Sequence, residues 1–307
     1  MGQFTSFAQN YEDVILWRAL KHIKKGFYVD CGAYSPFCHS VTRAFYERGW
    51  RGINIEPVPH LLHDFEDQRP DDINLNIALA DHSNGATFYE ILDTGLSTFS
   101  RETARRHIEA GFVAKSLNVR TASLSEVLTQ HGPDEIHFLK VDVEGAERLV
   151  LEGLDLKRFR PWIVVVEAVR PLTQEPNHRE WESILLTQDY DFAYFDGLNR
   201  FYVAQEHLEL STALALPPNI FDNFVQIDRL TELKVAQQEL AMLRASSSWK
   251  LTAPIRKTKL AFQALQDNFP HNVAFQFSRL FMKRKRSSLS FVSKLFRESR
   301  KGLVGPI

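Results

Sequence analysis

Short apolar runs alternate with amphipathic runs along the first two hundred residues of the chain. Runs typical of buried strands stand at residues 26–33, 52–57, 73–81, 136–145 and 162–168. The last of them is apolar from residue 162 to residue 166, as expected for a strand that is covered on both faces. Helical spacing appears at residues 39–49, which end at a glycine, and at 146–154. Residues 191–197 and 200–204 predict a closing hairpin. Strands that alternate with helices indicate an α/β fold, in which a parallel sheet carries helices on both faces.

Carboxylates stand at the ends of these predicted strands. They are Asp30, Glu56, Asp142, Glu144 and Glu167. A buried carboxylate is costly unless something pairs with it, and open parallel sheets bind ligands outside the carboxyl ends of their strands. We therefore expect these side chains to point into one ligand crevice, with His178 of the following loop near its rim.

The pattern changes after Pro217 and Pro218. Residues 227–245 carry apolar side chains at heptad spacing over about two or three heptads, which permits a short coiled coil. Beyond them the chain is basic, with "KRKR" at 283–286 and an amphipathic pattern at 289–301. We expect a catalytic domain over 1–224, a short helix or coiled coil over 225–245, and a basic amphipathic helical extension over 246–307.

Charge is divided unequally along the 307 residues. Residues 244–307 contain 14 Lys and Arg against 2 Asp and Glu, although the whole chain has a net charge of only −1. A basic amphipathic helix can lie on an anionic bilayer surface, so 246–307 would hold the protein at the inner face of the membrane. The alternative is that this apolar face packs on the catalytic domain or on a partner subunit.

Cysteine content and hydropathy point to the cytoplasm. Cys31 and Cys38 are the chain's two cysteines, too few for a disulfide framework or a zinc site. The sequence shows no apolar run of transmembrane length, and residues 1–14 lack the pattern of a signal peptide.

The composition of the loop after the first strand of the sheet distinguishes between two classes of cofactor. A dinucleotide needs several glycines so that the backbone can approach its pyrophosphate, whereas residues 32–37 contain only Gly32. S-adenosylmethionine has no phosphate, and Asp30, Gly32 and Glu56 suit its amino group, a close backbone approach and its ribose hydroxyls. Glu56 lies 24 residues after Gly32, near the usual offset of a ribose-binding carboxylate.

Several motifs, in this order, resemble the FkbM-type S-adenosylmethionine-dependent methyltransferases. They are "SFAQNYEDVIL", "YVDCGAYSP", "TRAFYERGWRGINIEP", "NIALAD", "LKVDVEGAE", "FDGLNRFYVA" and "PPNIFDNF". The resemblance covers roughly residues 6–224 and departs from the usual methyltransferase loop at Tyr34. It implies a Rossmann-like class I methyltransferase sheet and O-methyl transfer to hydroxyls of sugars, glycans or natural products.

The resemblance also implies roles for individual residues of the cofactor site. Asp30, Gly32 and Ala33 would line the methionine end, Tyr34 would stack on or cap the cofactor, and Glu56 would hold the ribose. Asn76, Ala78 and Asp81 would border the adenine, and Asp142 would close the site. Gln9, Glu12 and Asp13 belong to a motif that would cover the cofactor as a lid.

A sugar hydroxyl is a poor nucleophile near neutral pH, so methyl transfer to it needs a general base or a metal. Asp142, Glu144, Glu167 and His178 are the candidate catalytic groups. The three carboxylates are also suitable ligands for a divalent cation, Mg²⁺ or Mn²⁺. An alternative for Glu144 is a purely structural one, a carboxylate satisfied by backbone N–H groups at the start of a helix.

Two other functions are consistent with parts of the sequence. A nicotinamide-dependent sugar oxidoreductase would share the sheet, but its multi-glycine loop and Tyr-x-x-x-Lys pair are missing. A non-catalytic adaptor of glycan assembly remains an alternative, and residues 246–257 resemble a segment near the ends of some bacterial glycan-modifying enzymes. Nucleic acid is not expected as a partner, because no aromatic residues are interleaved with "KRKR".

Overall fold

The computed structural model describes residues 3–81, 83–254, 256, 258–260 and 263. The chain divides into two units, Met1–Leu230 and Thr231–Ile307. The strands are β1 (Phe4–Ser6), β2 (Phe27–Cys31), β3 (Arg51–Ile55), β4 (Ile73–Leu75), β5 (Ala78–Leu79), β6 (Ala86–Ile91), β7 (Ala114–Val119), β8 (Thr121–Ala122), β9 (Phe138–Val141), β10 (Ile163–Glu167), β11 (Tyr190–Phe195), β12 (Asn199–Ala204) and β13 (Phe224–Gln226).

The α-helices are α1 (Glu12–Leu20), α2 (Arg43–Tyr46), α3 (Pro59–Gln68), α4 (Arg101–Glu109), α5 (Leu124–His131), α6 (Glu147–Glu152), α7 (Glu182–Leu186), α8 (Ser211–Leu214), α9 (Ile227–Ala245) and α10 (Ser247–Leu251). Short 3₁₀ helices stand at His178–Glu180, Gln205–Leu210 and Ile220–Asp222.

Seven of the strands form one mixed sheet in the order β11-β12-β10-β9-β2-β3-β4. β12 runs antiparallel to both of its neighbours, and the other pairs are parallel. After β2 the chain adds β3 and β4 on one side, and later adds β9 and β10 on the other. The strand order therefore reverses between β2 and β9, which is where open α/β sheets bind ligands. The predicted α/β class is confirmed.

The sheet has an apolar core on each face, because successive side chains of a strand point to opposite sides. Val29 and Cys31 of β2 pack with residues of α5, α6 and α7 on one face. Tyr28, which directly precedes Val29 in the strand, packs with residues of α1, α2 and α8 on the other. Helices thus cover both faces, as the continuous apolar runs predicted.

The beginning and the end of the first unit lie side by side. β1 pairs in parallel with β13, with Phe4 opposite Phe224. Next to this pair, Arg18 of α1 donates to both carboxylate oxygens of Asp222, at 2.7 Å each, and to the carbonyls of residues 213, 216 and 217. The boundary expected after residue 224 falls within β13, and the first of the two units ends at Leu230.

The observed elements differ from the sequence predictions at several positions. The run predicted as one strand over 73–81 divides into β4, in the main sheet, and β5, which pairs with β8. Asn76 lies at the break, where its side-chain amide donates to the carbonyls of Glu56 and Pro57. The helix predicted over 39–49 is shorter, and β6, β7, α4 and α5 were not predicted at all.

Helix α9 agrees with the helical spacing of residues 227–245, and the coiled coil stays a prediction. The predictions for residues 283–286 and 289–301 concern a part of the chain outside the described residues. Among the helices that are described, none is both long and apolar enough to span a bilayer.

Candidate active site

A cavity of about 500 Å³, here called the strand-end cavity, lies at the carboxyl ends of β2, β3, β9 and β10. Its wall includes Gln9, Gly32, Ala33, Tyr34, Glu56, Ile77, Ala78, Leu79, Phe88, Gly95, Phe99, Lys140, Asp142, Glu144, Glu167 and Arg170. The position agrees with the expected ligand crevice, and the volume lies within the range of small-molecule and cofactor sites.

Gly32 forms the tight turn that leaves β2. Its φ is +76°, and a Cβ atom placed on it would lie 1.8 Å from the carbonyl oxygen of Asp142. The amides of Gly32 and Ala33 both donate to the carbonyl of Ile55, at 3.1 Å each. The left-handed conformation and the close approach to β9 therefore both require glycine here.

Glu56 follows β3 and is buried in the cavity wall. Its two carboxylate oxygens accept the backbone amides of Tyr34 and Val58, both at 2.9 Å. Burial raises the pKa of Glu56 to about 7, although the two amide hydrogen bonds and Lys140 act in the opposite direction. A carboxylate has about four lone-pair positions, so acceptor capacity remains for a ligand.

An apolar wall faces this carboxylate. Ala78, which was expected to border the adenine, lines the cavity together with Ile77 and Leu79. Phe88 and Phe99 line it too, and their rings meet edge to face at 5.2 Å. Tyr34 has a φ of +52°, and Gly95 lies directly against its ring. The cavity thus has one side suited to a flat apolar ring and another suited to hydroxyl groups.

Three carboxylates, here called the acidic cluster, converge in the cavity: Asp142, Glu144 and Glu167. Each offers an oxygen within 4.8 Å of the others. Glu167 is only 7% exposed, and Oε2 of Glu144 and Oε2 of Glu167 are buried without a hydrogen-bond partner in the described part of the chain. Burial, and next the charge of Asp142, raises the pKa of both glutamates well above the ordinary value.

The loop that carries Glu144 is held from two sides. Oε1 of Glu147 accepts the amides of Val143 at 3.3 Å and Gly145 at 2.9 Å. The Thr98 hydroxyl donates to the Glu144 carbonyl at 2.9 Å. The structural role considered for Glu144, acceptance of backbone N–H groups at the helix start, therefore falls to Glu147. This leaves the Glu144 carboxylate directed to the cavity.

Lys140 is the functional candidate that the sequence analysis missed. Its Nζ lies 3.4 Å from Oδ1 of Asp30, 3.3 Å from Oδ2 of Asp142 and 3.2 Å from the Gly32 carbonyl. Burial lowers the pKa of Lys140, but Asp142 and Asp30 outweigh it, so the pKa is raised and the side chain stays charged. A lysine within the apolar run "FLKV" was the available signal, because a buried lysine is almost always paired.

Asp30 and Asn76 do not line the strand-end cavity, contrary to expectation. Asp30 lies inside β2 rather than after it, where its oxygens meet the Thr42 hydroxyl at 3.0 Å and the Lys140 ammonium. Asn76 uses its amide to fix the turn at residues 56–57. Asp81 is exposed and also stands outside the wall.

The same holds for most of the expected lid motif. Gln9 lines the cavity, but Glu12 and Asp13 are buried behind it at the start of α1. Glu12 accepts the Asn10 amide at 2.9 Å and the Asn199 side-chain amide at 2.8 Å. Asp13 accepts from Ser6 and the amide of Phe7, so both acids brace the N-terminal segment.

His178 is the candidate base that the structure does not bring to the cavity. It begins a 3₁₀ helix, with Nε2 4.0 Å from Oε2 of Glu182. Burial, and next the charge of Arg200, lowers its pKa. The acidic cluster assembles as expected, and the expected position of His178 at its rim is not observed.

A second cavity of about 370 Å³, here called the polar cavity, adjoins the first and shares Arg170, Leu172 and Thr173 with it. Its wall contains many polar residues, namely Ser100, Thr103, Arg106, His107, Glu147, Arg148, Asn177 and Glu180. Nε2 of His107 and Oδ1 of Asn177 are buried and lack a hydrogen-bond partner among residues 3–81 and 83–254. Hydroxyl-rich molecules match such a wall better than apolar ones do.

Comparison with known proteins identifies the family. No curated protein sequence matches the chain. A crystal structure of methyltransferase FkbM from Methylobacillus flagellatus KT is similar at 14% sequence identity and a TM-score of 0.36; the similarity covers 59% of this chain and 44% of that protein. Residues 30–194, more than half of the sequence, match the family described as the methyltransferase FkbM domain. The chain therefore belongs to the family of FkbM methyltransferases.

Proposed function

We propose that the protein is an S-adenosylmethionine-dependent O-methyltransferase that acts on a hydroxyl of a sugar, a glycan or a similar metabolite. The observation that carries the proposal is the strand-end cavity, in which Gly32, Glu56 and the acidic cluster meet in a chain of the FkbM methyltransferase family. The strand order, with its reversal between β2 and β9 and its antiparallel β12, supports the Rossmann-like class I form of the fold.

The cavity wall fits the parts of the cofactor. The apolar side at Ile77, Ala78 and Phe88 suits the adenine ring, and the free acceptor capacity of Glu56 suits the ribose hydroxyls. The turn at Gly32 and Ala33 would hold the methionine end. When bound there, S-adenosylmethionine supplies a methyl group already activated on a sulfonium.

The task left to the protein is to position the acceptor hydroxyl and to remove its proton. Correct alignment of two reactants contributes up to roughly 7–11 kcal/mol to a reaction of this kind. Asp142, Glu144 and Glu167 are the groups of the wall suited to act on the hydroxyl proton. Lys140 holds the Asp142 side chain in place through its contact at 3.3 Å.

The polar cavity supports the choice of a hydroxyl-rich acceptor. It adjoins the strand-end cavity at residues 170–173, so a molecule that fills both would reach the acidic cluster with one end. Residues of its wall such as Ser100, Arg106 and Glu180 offer hydroxyl, guanidinium and carboxylate groups for hydrogen bonds with sugar hydroxyls.

Isothermal titration with S-adenosylhomocysteine tests the cofactor. We expect the wild type to bind S-adenosylhomocysteine and not to bind NAD. Glu56→Ala should weaken S-adenosylhomocysteine binding about 10- to 100-fold, because hydrogen bonds to a charged group contribute roughly 1.5–3 kcal/mol. Glu66→Ala, an exposed glutamate on α3 that stands outside the wall, is the matched control. Binding of NAD without S-adenosylhomocysteine would establish the nicotinamide-dependent alternative instead.

A further inference from the structure

The acidic cluster has more carboxylate oxygens than hydrogen-bond donors or cations to satisfy them. Asp142 contacts Lys140 at 3.3 Å. Oε2 of Glu144 and Oε2 of Glu167 have no hydrogen-bond partner among the described residues, although both atoms are buried. Glu167 is 7% exposed and lines the strand-end cavity. Buried polar atoms are nearly always paired, so these two indicate a missing positive ligand.

The spacing of the oxygens matches a single small cation. Oxygen ligands lie about 2.0–2.1 Å from Mg²⁺ and about 2.3–2.6 Å from Ca²⁺. Two ligands of one ion are therefore separated by at most roughly 4–5 Å. The three carboxylates each offer an oxygen within 4.8 Å of the others, so one ion can contact all of them after little or no movement.

We propose that Asp142, Glu144 and Glu167 bind one divalent cation of the Mg²⁺ or Mn²⁺ class. Three protein ligands leave about half of a six-coordinate shell for water and for an oxygen of the acceptor. That second role rests on the proposed function. The ion then orients the acceptor hydroxyl and makes it more acidic.

The surroundings hold the three ligands in place. Glu167 is the last residue of β10, paired in the sheet with Asn199 of β12. The 142–145 loop is fixed by Glu147 and by the Thr98 hydroxyl. Residues that orient metal ligands in this way are a general feature of metal sites.

Titration of the full-length, metal-free protein with MnCl₂, followed by electron paramagnetic resonance of free Mn²⁺, tests the site. We expect one site per chain. Glu167→Gln and Glu144→Gln should each weaken Mn²⁺ binding at least tenfold. Glu152→Gln, on the exposed side of α6 and paired with Arg148, should bind like the wild type.

Thermal melting in the absence of metal separates loss of a ligand from loss of the fold. Glu167→Gln should melt at or above the wild-type temperature, because it removes an uncompensated buried carboxylate. If that variant does not fold, Glu144→Gln carries the test. Absence of Mn²⁺ binding at millimolar concentration, or equal affinity in the wild type and the folded variant, would overturn the inference. S-adenosylhomocysteine binding without Mn²⁺ binding refutes the metal site alone, and Mn²⁺ binding without S-adenosylhomocysteine binding refutes the proposed cofactor alone.

Discussion

Substitution of Gly32 by alanine tests how the cofactor loop and β9 are joined. The φ of +76° costs an L-residue about 1–2 kcal/mol. The new Cβ would also lie 1.8 Å from the Asp142 carbonyl oxygen, and relief of such overpacking costs about 1–3 kcal/mol more. We therefore expect Gly32→Ala to lower the free energy of unfolding by about 2–5 kcal/mol.

Gly49→Ala provides the matched control, because Gly49 has a similar φ of +88° and no described atom within 4 Å of the added Cβ. It should cost only the conformational part, about 1–2 kcal/mol. Urea denaturation followed by tryptophan fluorescence measures both. Because the backbone of Asp142 must move, Gly32→Ala should also weaken S-adenosylhomocysteine binding more than tenfold, with no change in Gly49→Ala. Equal stability losses in the two variants, or wild-type affinity in Gly32→Ala, would refute this reasoning.

Two further predictions concern the stability of the first unit. Burial, then Asp196, raises the pKa of Glu12 from 4.5 to about 7, so its contribution to stability is present below pH 4.5 and is lost as the pH rises through 7. Between pH 5 and 8, the free energy of unfolding should fall by up to about 3 kcal/mol more in the wild type than in Glu12→Gln. Urea denaturation measures both, and parallel pH profiles would contradict this prediction. Arg18→Ala should cost about 2–3 kcal/mol, because it removes the cation paired with Asp222 and the donors to three backbone carbonyls. Arg106→Ala, which removes an exposed ion pair on α4, should cost less than about 0.5 kcal/mol. Similar losses of stability in the two variants would argue against a stabilising role of the Arg18–Asp222 pair.

The main sheet and the acidic cluster could be predicted because burial on both faces leaves a strong signal in the sequence. β9 and β10 are continuous apolar runs, and their parallel register sets Val141 opposite Val166. The residues that end or follow such neighbouring strands must then come together. This reasoning located Asp142 and Glu167 without any knowledge of side-chain positions.

The same reasoning failed where a residue lies inside a strand or in a loop. Asp30 precedes Cys31, the last residue of β2, so its side chain faces a neighbouring element rather than the cavity. His178 stands in a loop, and no periodicity determines where a loop places its side chains. Loop positions are fixed by contacts such as those of His178 with Glu182, which only the folded chain brings together.

The hairpin of β6 and β7 escaped prediction for a different reason. Most side chains of β7 are at least partly exposed, so its sequence lacks the apolar run of a buried strand. Long intervening segments also separate the two strands, without the short turn signal of a tight hairpin. A signal existed for α5, where Ser123 and Glu126 form a capping box. The residues of a capping box identify the start of a helix from local sequence alone.

The pairing of β1 with β13 has a consequence for how the molecule is assembled during synthesis. Residues 4–6 leave the ribosome long before their partners at 224–226, which are made only after the whole main sheet. Until then the edge of β1 is unpaired, and such an edge can pair with other chains. Closing so long a loop is also slow compared with local contacts. We therefore expect the N-terminal segment to dock last and to be the region that needs protection in a nascent chain.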